Sequence, residues 1–423
     1  MLTPVATSPK SLEDYRPIIG EEQTDEIYRL AEQFKGAKVL HINATAFGGG
    51  VAELLNSIVP LMNDVGLLAE WQIMQGADEF YQVTKALHNS LQGMQIEWKP
   101  EMWEIWRRYN LLNAELFEGL YDYVIVHDPQ PAGMLKFLQE SGRVNKSTRW
   151  IWRFHIDSTD AQPEAWNFLR PYLEPYDAAI FTLKQFVKAD LIGPRVWVIP
   201  PAIDPLSQKN APISQETVQQ VLTRFNVDPQ RPLIVKASRM DAWKDPLGVI
   251  EAYFQIKQHI PGVQLAFLVA IADDDPEGWA YYEQTVKAAG GDPDIHLLPN
   301  ILNGIGDLEV NAFQTGAHVV VQKSIREGFG LAVAEGLWKS RPVVGGRAGG
   351  IPLQVIQGKT GYLVNSPAEC AKWIVHLLQH PDRAEQMGKQ GREHVRRKFL
   401  ITRYMRDYLR VFRGLQRSKR KVL

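Results

Sequence analysis

The sequence predicts an α/β protein built from two doubly wound domains, each a parallel sheet with helices on both faces. Three observations carry that expectation. Short apolar runs alternate with amphipathic stretches along the chain, the order that builds a parallel sheet covered on both sides. Several of these runs end in loops of glycine, histidine and acid, where doubly wound sheets bind ligands. Midway, the alternation stops at Pro200-Pro201-Ala202-Ile203-Asp204-Pro205 and then restarts. Proline stiffens the chain and removes a backbone donor, so this stretch reads as a linker. A chain of 423 residues accommodates two such domains, of about 200 residues each.

In the first half, residues 1–35 are polar and proline-containing and end in a helix over 24–34. A buried strand is expected at 38–43, followed by Gly48-Gly49-Gly50 and a helix with Val51, Leu54, Leu55, Ile58 and Leu61 on one face. The glycines let backbone approach a ligand. The spacing is neither the dinucleotide fingerprint nor a Walker loop. Further strands are expected at 68–74, 123–126, 150–154, 178–181 and 196–199. Helices are expected at 80–91, carrying Lys85 and Asn89, and around Trp103 to Tyr109, carrying Arg107. The strand at 123–126 ends in His127-Asp128-Pro129, and that at 150–154, which contains Arg153, ends in His155-Ile156-Asp157.

In the second half, strands are expected at 233–237, 264–271, 295–298, 319–321 and 360–364. The first ends in a loop with Arg239 and Lys244, two cations able to neutralise a diphosphate, the arginine by bidentate contacts. The stretch from Lys323 to Gly350 is the most informative. There a strand meets Glu327-Gly328-Phe329-Gly330, then a helix opening at Leu331 and carrying Glu335. A glycine turn at a helix N-terminus leaves N–H groups and positive partial charge for an anion. Two acids so close would repel phosphate and suit sugar hydroxyls instead. Spacing alone leaves open a plain strand–turn–helix with solvated acids.

Composition excludes several classes. Hydrophobic content is 45%, charged content 22% and formal net charge −1, so general nucleic-acid or membrane-surface binding is not expected. The single cysteine, Cys370, rules out an internal disulfide and a multi-cysteine zinc site. Without an apolar run of membrane length or a basic, apolar leader, no membrane span or signal peptide is expected, and cytoplasm is the expected location. Asp273-Asp274-Asp275 offers a weak magnesium or manganese reading, opposed by the turn and helix that follow. His376 and His380 lack the glutamate and third ligand of a zinc site. The nucleophile elbow of a serine hydrolase is missing as well.

The E-x7-E pair Glu327 and Glu335, within REGFGLAVAEGL, resembles the signature of glycosyltransferase family 4, retaining nucleotide-sugar transferases of the GT-B fold. The segments HINATAFGGGVAELL, VHDPQP, WIWRFHIDST, IPPAIDPLSQKN, SRMDAWKDP, DDPEGW, EVNAFQ and SIREGFGLAVAEGLWKSRPVVG extend the likeness over nearly the whole chain. They are similar to the trehalose glycosyltransferring synthases of that family.

The resemblance implies two Rossmann-like domains facing a cleft, at 1–203 and 204–395, with a final helix over 396–423 returning to the first. It implies glucose transfer from a nucleoside-diphosphate glucose to a sugar, forming an α-linked disaccharide, with trehalose first. Sucrose phosphate, from fructose 6-phosphate, is the alternative, and a non-catalytic sugar-nucleotide binder is a third reading. Implied catalytic residues are His155, Arg239, Lys244 and Glu327. Implied donor contacts are Gly48, Gly49, Arg239, Lys244, Glu327, Gly328, Phe329, Gly330, Leu331 and Glu335, with Glu335 on the ribose. Acceptor candidates are Lys85, Asn89, Arg107, Asp128, Arg153 and Asp157. No metal or cofactor is expected; the partners are a nucleotide sugar and a sugar or sugar phosphate, and a homodimer is compatible with the reading.

Overall fold

The computed structural model describes residues 1–47, 49–271 and 276–419. Gly48 and the acids Asp273, Asp274 and Asp275 lie outside the described residues. The chain forms two compact units, one of Met1–Pro201 with Ile401–Leu423 and one of Ala202–Leu400.

The first unit holds a seven-stranded sheet. Its strands are β1 (Thr3–Pro4), β2 (Lys38–Asn43), β3 (Leu68–Ile73), β4 (Tyr123–His127), β5 (Arg149–Phe154), β6 (Ala178–Phe181) and β7 (Arg195–Val198). They are ordered β1-β3-β2-β4-β5-β6-β7. Only the short β1 runs antiparallel, against β3. The central strands are buried on both faces, so they read as near-continuous apolar runs.

Side chains alternate between faces. Leu40, Ile42, Val124, Val126, Trp152 and Phe154 fill one apolar core. The opposite face carries His41, His127 and Arg153, and helix Ile401–Lys419 packs over it. There Phe412 stacks on Tyr123 at 4.1 Å, and Tyr408 lies 6.0 Å from His41. Arg403 ties this helix to the proline stretch through the carbonyls of Pro200 and Pro201, both at 2.8 Å. Arg410 reaches Glu26 at 2.6 Å. The chain enters this helix at Leu400/Ile401, just after helix Pro381–Lys398, so the expected boundary at 395 falls inside a continuous helix.

Residues 1–35 hold more structure than their polarity predicts. Leu2, Leu12, Tyr15 and Ile19 are buried around short helical turns that precede helix Glu21–Ala31. Leu12, Tyr15 and Ile19 are spaced as one face of a helix, but the run is too short and too polar around them to stand out as an element.

The second unit holds a fully parallel six-stranded sheet. Its strands are β8 (Leu233–Arg239), β9 (Gln264–Ala270), β10 (Ile295–Pro299), β11 (Val319–Gln322), β12 (Val343–Gly346) and β13 (Gly361–Val364). Their order is β10-β9-β8-β11-β12-β13. β8 extends two residues past the expected end, so Arg239 is the last strand residue and not a loop residue. Among the described residues no helix is long and apolar enough to cross a membrane.

Candidate active site

In the second unit the candidate residues gather at the carboxyl ends of β8 and β11. Glu327 is 7% exposed. Its Oε2 accepts from Lys244 Nζ at 2.6 Å, Ser324 Oγ at 3.2 Å and Gln322 Nε2 at 3.4 Å. Lys244 ends a single 3₁₀ turn, Ala242–Lys244, capped by Asp241, which accepts from the Lys244 amide. The Trp243 carbonyl accepts from the Ile325 amide at 2.9 Å, pinning this turn to the glutamate loop. Asp245, with φ +48°, caps helix Pro246–His259 through Gly248 and also accepts from the buried Lys323 ammonium. Arg239 is exposed and, among the described residues, reaches only Asp241, at 3.2 Å. An ammonium has three donors, so Lys244 also keeps capacity for a phosphate while it holds Glu327.

Gly330, at φ +84°, turns the chain into helix Leu331–Trp338 with no side-chain cap. The first-turn N–H groups near Leu331 are therefore left for a ligand. Glu335 is buried one face further on, and its Oε2 accepts from Gln314 Nε2 at 3.0 Å. Phe329 is buried against Phe399. Gln354 Nε2 supports the turn from below by donating to the Phe329 carbonyl at 2.7 Å. The glycines that close the 323–350 stretch have a steric role: a Cβ on Gly349, at φ +47°, would sit 1.4 Å from the Glu327 carbonyl oxygen. A Cβ on Gly346 would meet the Ser324 carbonyl at 2.0 Å. Backbone against backbone is how the loop bearing Glu327 is held.

Lys236, on β8, is 1% exposed and its Nζ has no hydrogen-bond partner. Burial, aided by Lys244, pulls its ammonium down to about 8, against the attraction of Glu327, Asp241 and Asp245. Sequence reasoning passed over Lys236, Gln314, Gln322 and Ser324. A lysine inside the apolar run Leu233-Ile234-Val235-Lys236-Ala237 was the available signal, since a charged residue in a central strand needs a reason. The other three had none, because an uncharged polar residue in a helix, as Gln314, or near a strand end, as Gln322 and Ser324, is ordinary.

In the first unit His155 follows β5. Its amide donates to Asp128 Oδ1 at 2.8 Å, and its Nε2 lies 3.1 Å from His127 Nδ1. Asp128 adopts φ +63°, and Trp152 Nε1 donates to its carbonyl at 3.0 Å. Burial pushes its carboxyl up to about 7, opposed by the His155 amide and the Arg153 charge. Asp157 is buried and accepts from the Thr159 amide and hydroxyl. Asn89 and the exposed Lys85 share helix Asp78–Leu91. Gly49 precedes helix Gly50–Asp64, and a Cβ there would meet nothing within 4 Å.

Two acceptor candidates are engaged elsewhere. Arg107 donates to Tyr172 Oη at 3.0 Å, pairs with Glu104 and lies 5.2 Å over the Phe168 ring. Arg153 is 0% exposed and sits 5.7 Å from the Tyr404 ring centroid. Its strand position turns it under the C-terminal helix, away from any surface, because successive side chains on β5 alternate faces.

A pair of doubly wound units, one with buried acids and anchored cations at a glycine turn, is the architecture of the GT-B glycosyltransferases. Residues 220–394 match the family described as glycosyl transferases group 1, and residues 41–188 match the trehalose synthase N-terminal domain. This protein is a glycosyltransferase. It is 48% identical to a trehalose synthase of Rubrobacter xylanophilus, over 98% of this chain and 99% of that one. It is 44% identical to a trehalose synthase of Pyrococcus horikoshii, over 96% and 97% of the two chains. The chain belongs to the trehalose synthase family. The fold also matches a trehalose-phosphate synthase from Burkholderia xenovorans solved with glucose-6-phosphate. The TM-score is 0.73 at 15% identity, covering 90% of this chain and all of that one.

Proposed function

We propose that this enzyme moves glucose from a nucleoside-diphosphate glucose to glucose, forming trehalose with retention at the anomeric carbon. The observation that carries the reading is the full-length identity to relatives named trehalose synthase. The site chemistry agrees with it. Lys244 and Arg239 take the diphosphate, with the free amides of the Gly328–Leu331 turn. Glu335 holds the ribose hydroxyls and Glu327 the donor sugar, while His155 serves the reacting sugar. No metal or cofactor takes part in this reading.

Retention follows from a front-face route. The donor's C1–O bond breaks, the acceptor oxygen bonds to C1 on the same face, and the departing phosphate takes the acceptor's proton. Anchored cations stabilise the charge that develops on that phosphate, which is where electrostatic catalysis acts. This route asks no covalent attack of Glu327, whose Oε2 is held by Lys244, Ser324 and Gln322 and whose part is to position the donor sugar.

The test is a product assay with UDP- or ADP-glucose and a panel of acceptors, in EDTA. The expected result is nucleoside diphosphate released in step with an α,α-linked, non-reducing disaccharide from glucose. Product only from fructose 6-phosphate, a β linkage from the α donor, or activity restored solely by magnesium or manganese would overturn the reading.

A further inference from the structure

β2, β4 and β5 are neighbours in the first sheet. They bring together three histidines far apart in the chain. His41 Nδ1 lies 3.0 Å from His127 Nε2, and His127 Nδ1 lies 3.1 Å from His155 Nε2. The rings stack in sequence, with centroids 5.3 and 5.4 Å apart. His41 and His127 are 0% and 3% exposed. Both ring nitrogens of His127 are engaged, and among the described residues Nδ1 of His155 has no partner.

Each neutral imidazole carries one proton, and each ring-to-ring hydrogen bond uses one. The series therefore has two polarities. In one, every ring donates toward His41, and the His41 proton ends on Nε2. In the other, every ring donates toward His155, and the His155 proton ends on Nδ1. His41 Nε2 is buried and has no hydrogen-bond partner among the described residues. The first polarity would leave an N–H donor unsatisfied in the core; the second leaves only an unshared lone pair there, which costs less. We infer that His41 and His127 are positioning residues that hold His155 as the tautomer protonated on Nδ1.

Arg153 reinforces the arrangement. It lies on the same face as His41 and His127, fully buried, and among the described residues its guanidinium has no hydrogen-bond partner. A fixed positive charge beside the rings opposes a second proton on any of them. His155 then meets a ligand as a neutral donor through Nδ1, suited to a sugar hydroxyl oxygen and unsuited to removing a proton. This consequence rests on the proposed role of His155 at the reacting sugar; the tautomer itself does not.

The experiment uses the full chain labelled with ¹⁵N-histidine and a multiple-bond ¹H–¹⁵N correlation near neutral pH. His155 is assigned by the signal lost in His155→Gln. The expected result is a neutral His155 with the proton on Nδ1. In His127→Phe, which removes the donor that keeps His155 Nε2 an acceptor, the fraction of His155 protonated on Nδ1 is expected to fall, with kcat lower by on the order of tenfold and donor KM unchanged. His41→Leu makes His127 Nε2 the buried end of the row, and the same cost is expected to keep His155 protonated on Nδ1. A native His155 protonated on Nε2 overturns the inference even if both variants fail to fold. An unchanged His155 signal in a folded His127→Phe also overturns it. A tautomer that shifts in His127→Phe while kcat stays constant overturns the catalytic consequence and the proposed role of His155, and leaves the positioning standing.

Discussion

The two units solve opposite electrostatic problems. In the second, charges are kept and paired: Lys244 on Glu327, Lys323 on Asp245, Arg239 on Asp241. In the first, charge is removed from the histidine row and from Asp128. Burial pulls His41 down to about 3 and holds His127 and His155 well below the usual histidine range, and it raises the carboxyl of Asp128. A diphosphate arrives with charge and leaves with more, so its site needs cations already in place. A sugar has hydroxyls and no charge, so its site needs neutral donors and acceptors of fixed direction. On the proposed reading, the difference would let one polypeptide take a charged ligand and a neutral one without cross-binding.

The sharpest way to break this comparison is to remove a paired cation. Lys244→Ala is expected to lower turnover at saturating donor by roughly a hundredfold to a thousandfold, about 3–4 kcal/mol at the transition state. Unchanged turnover would remove Lys244 from the site and leave its pairing with Glu327 purely structural.

Glu335→Gln sharpens the comparison within the second unit. Gln314 already occupies one oxygen of Glu335, and a ribose contact is made equally in ground and transition states. Donor KM should therefore rise by about tenfold, with kcat little changed. Steady-state kinetics over donor concentration decide it. Abolished turnover with intact donor affinity would exchange the proposed roles of Glu327 and Glu335.

The smallest expected effect tests the uncharged unit. A histidine held neutral when folded binds fewer protons than when unfolded. Its contribution to stability is present above the ordinary histidine pKa and is lost as pH falls below it. Asp128 titrates with the opposite sign, and Arg153, Tyr404 and Tyr408 face the same histidines. The difference between native protein and His41→Leu isolates one ring. Denaturant melts between about pH 6.5 and 4.5 should show native stability falling more steeply than the variant's, by about 1.4 kcal/mol per pH unit. Parallel curves would mean that His41 is not held neutral.

Much of the fold was legible before any coordinates. Strands such as Lys38–Asn43 and Ala178–Phe181 occur where their apolar runs predict them, because a parallel strand covered on both faces is mostly apolar. The glycine turn before Leu331 was equally visible, since an αL residue at a helix start calls for glycine. Less legible was the reason for Gly346 and Gly349. Their requirement is a close approach to the backbone of Ser324 and Glu327, about twenty residues away.

By itself, the sequence determined the class of each half, the strand ends where chemistry sits, and the cations and acids that sit there. These depend on local periodicity and on residue type. The tertiary structure alone decided which groups meet. Strand order put His41, His127 and His155 in one hydrogen-bonded row, and strand pleat turned Arg153 inward beneath the C-terminal helix. Pairing of β8 with β11 brought Lys244 onto Glu327. Each of these contacts joins residues far apart in the chain, and adjacency across a sheet is set by which strands pair, which no local pattern records.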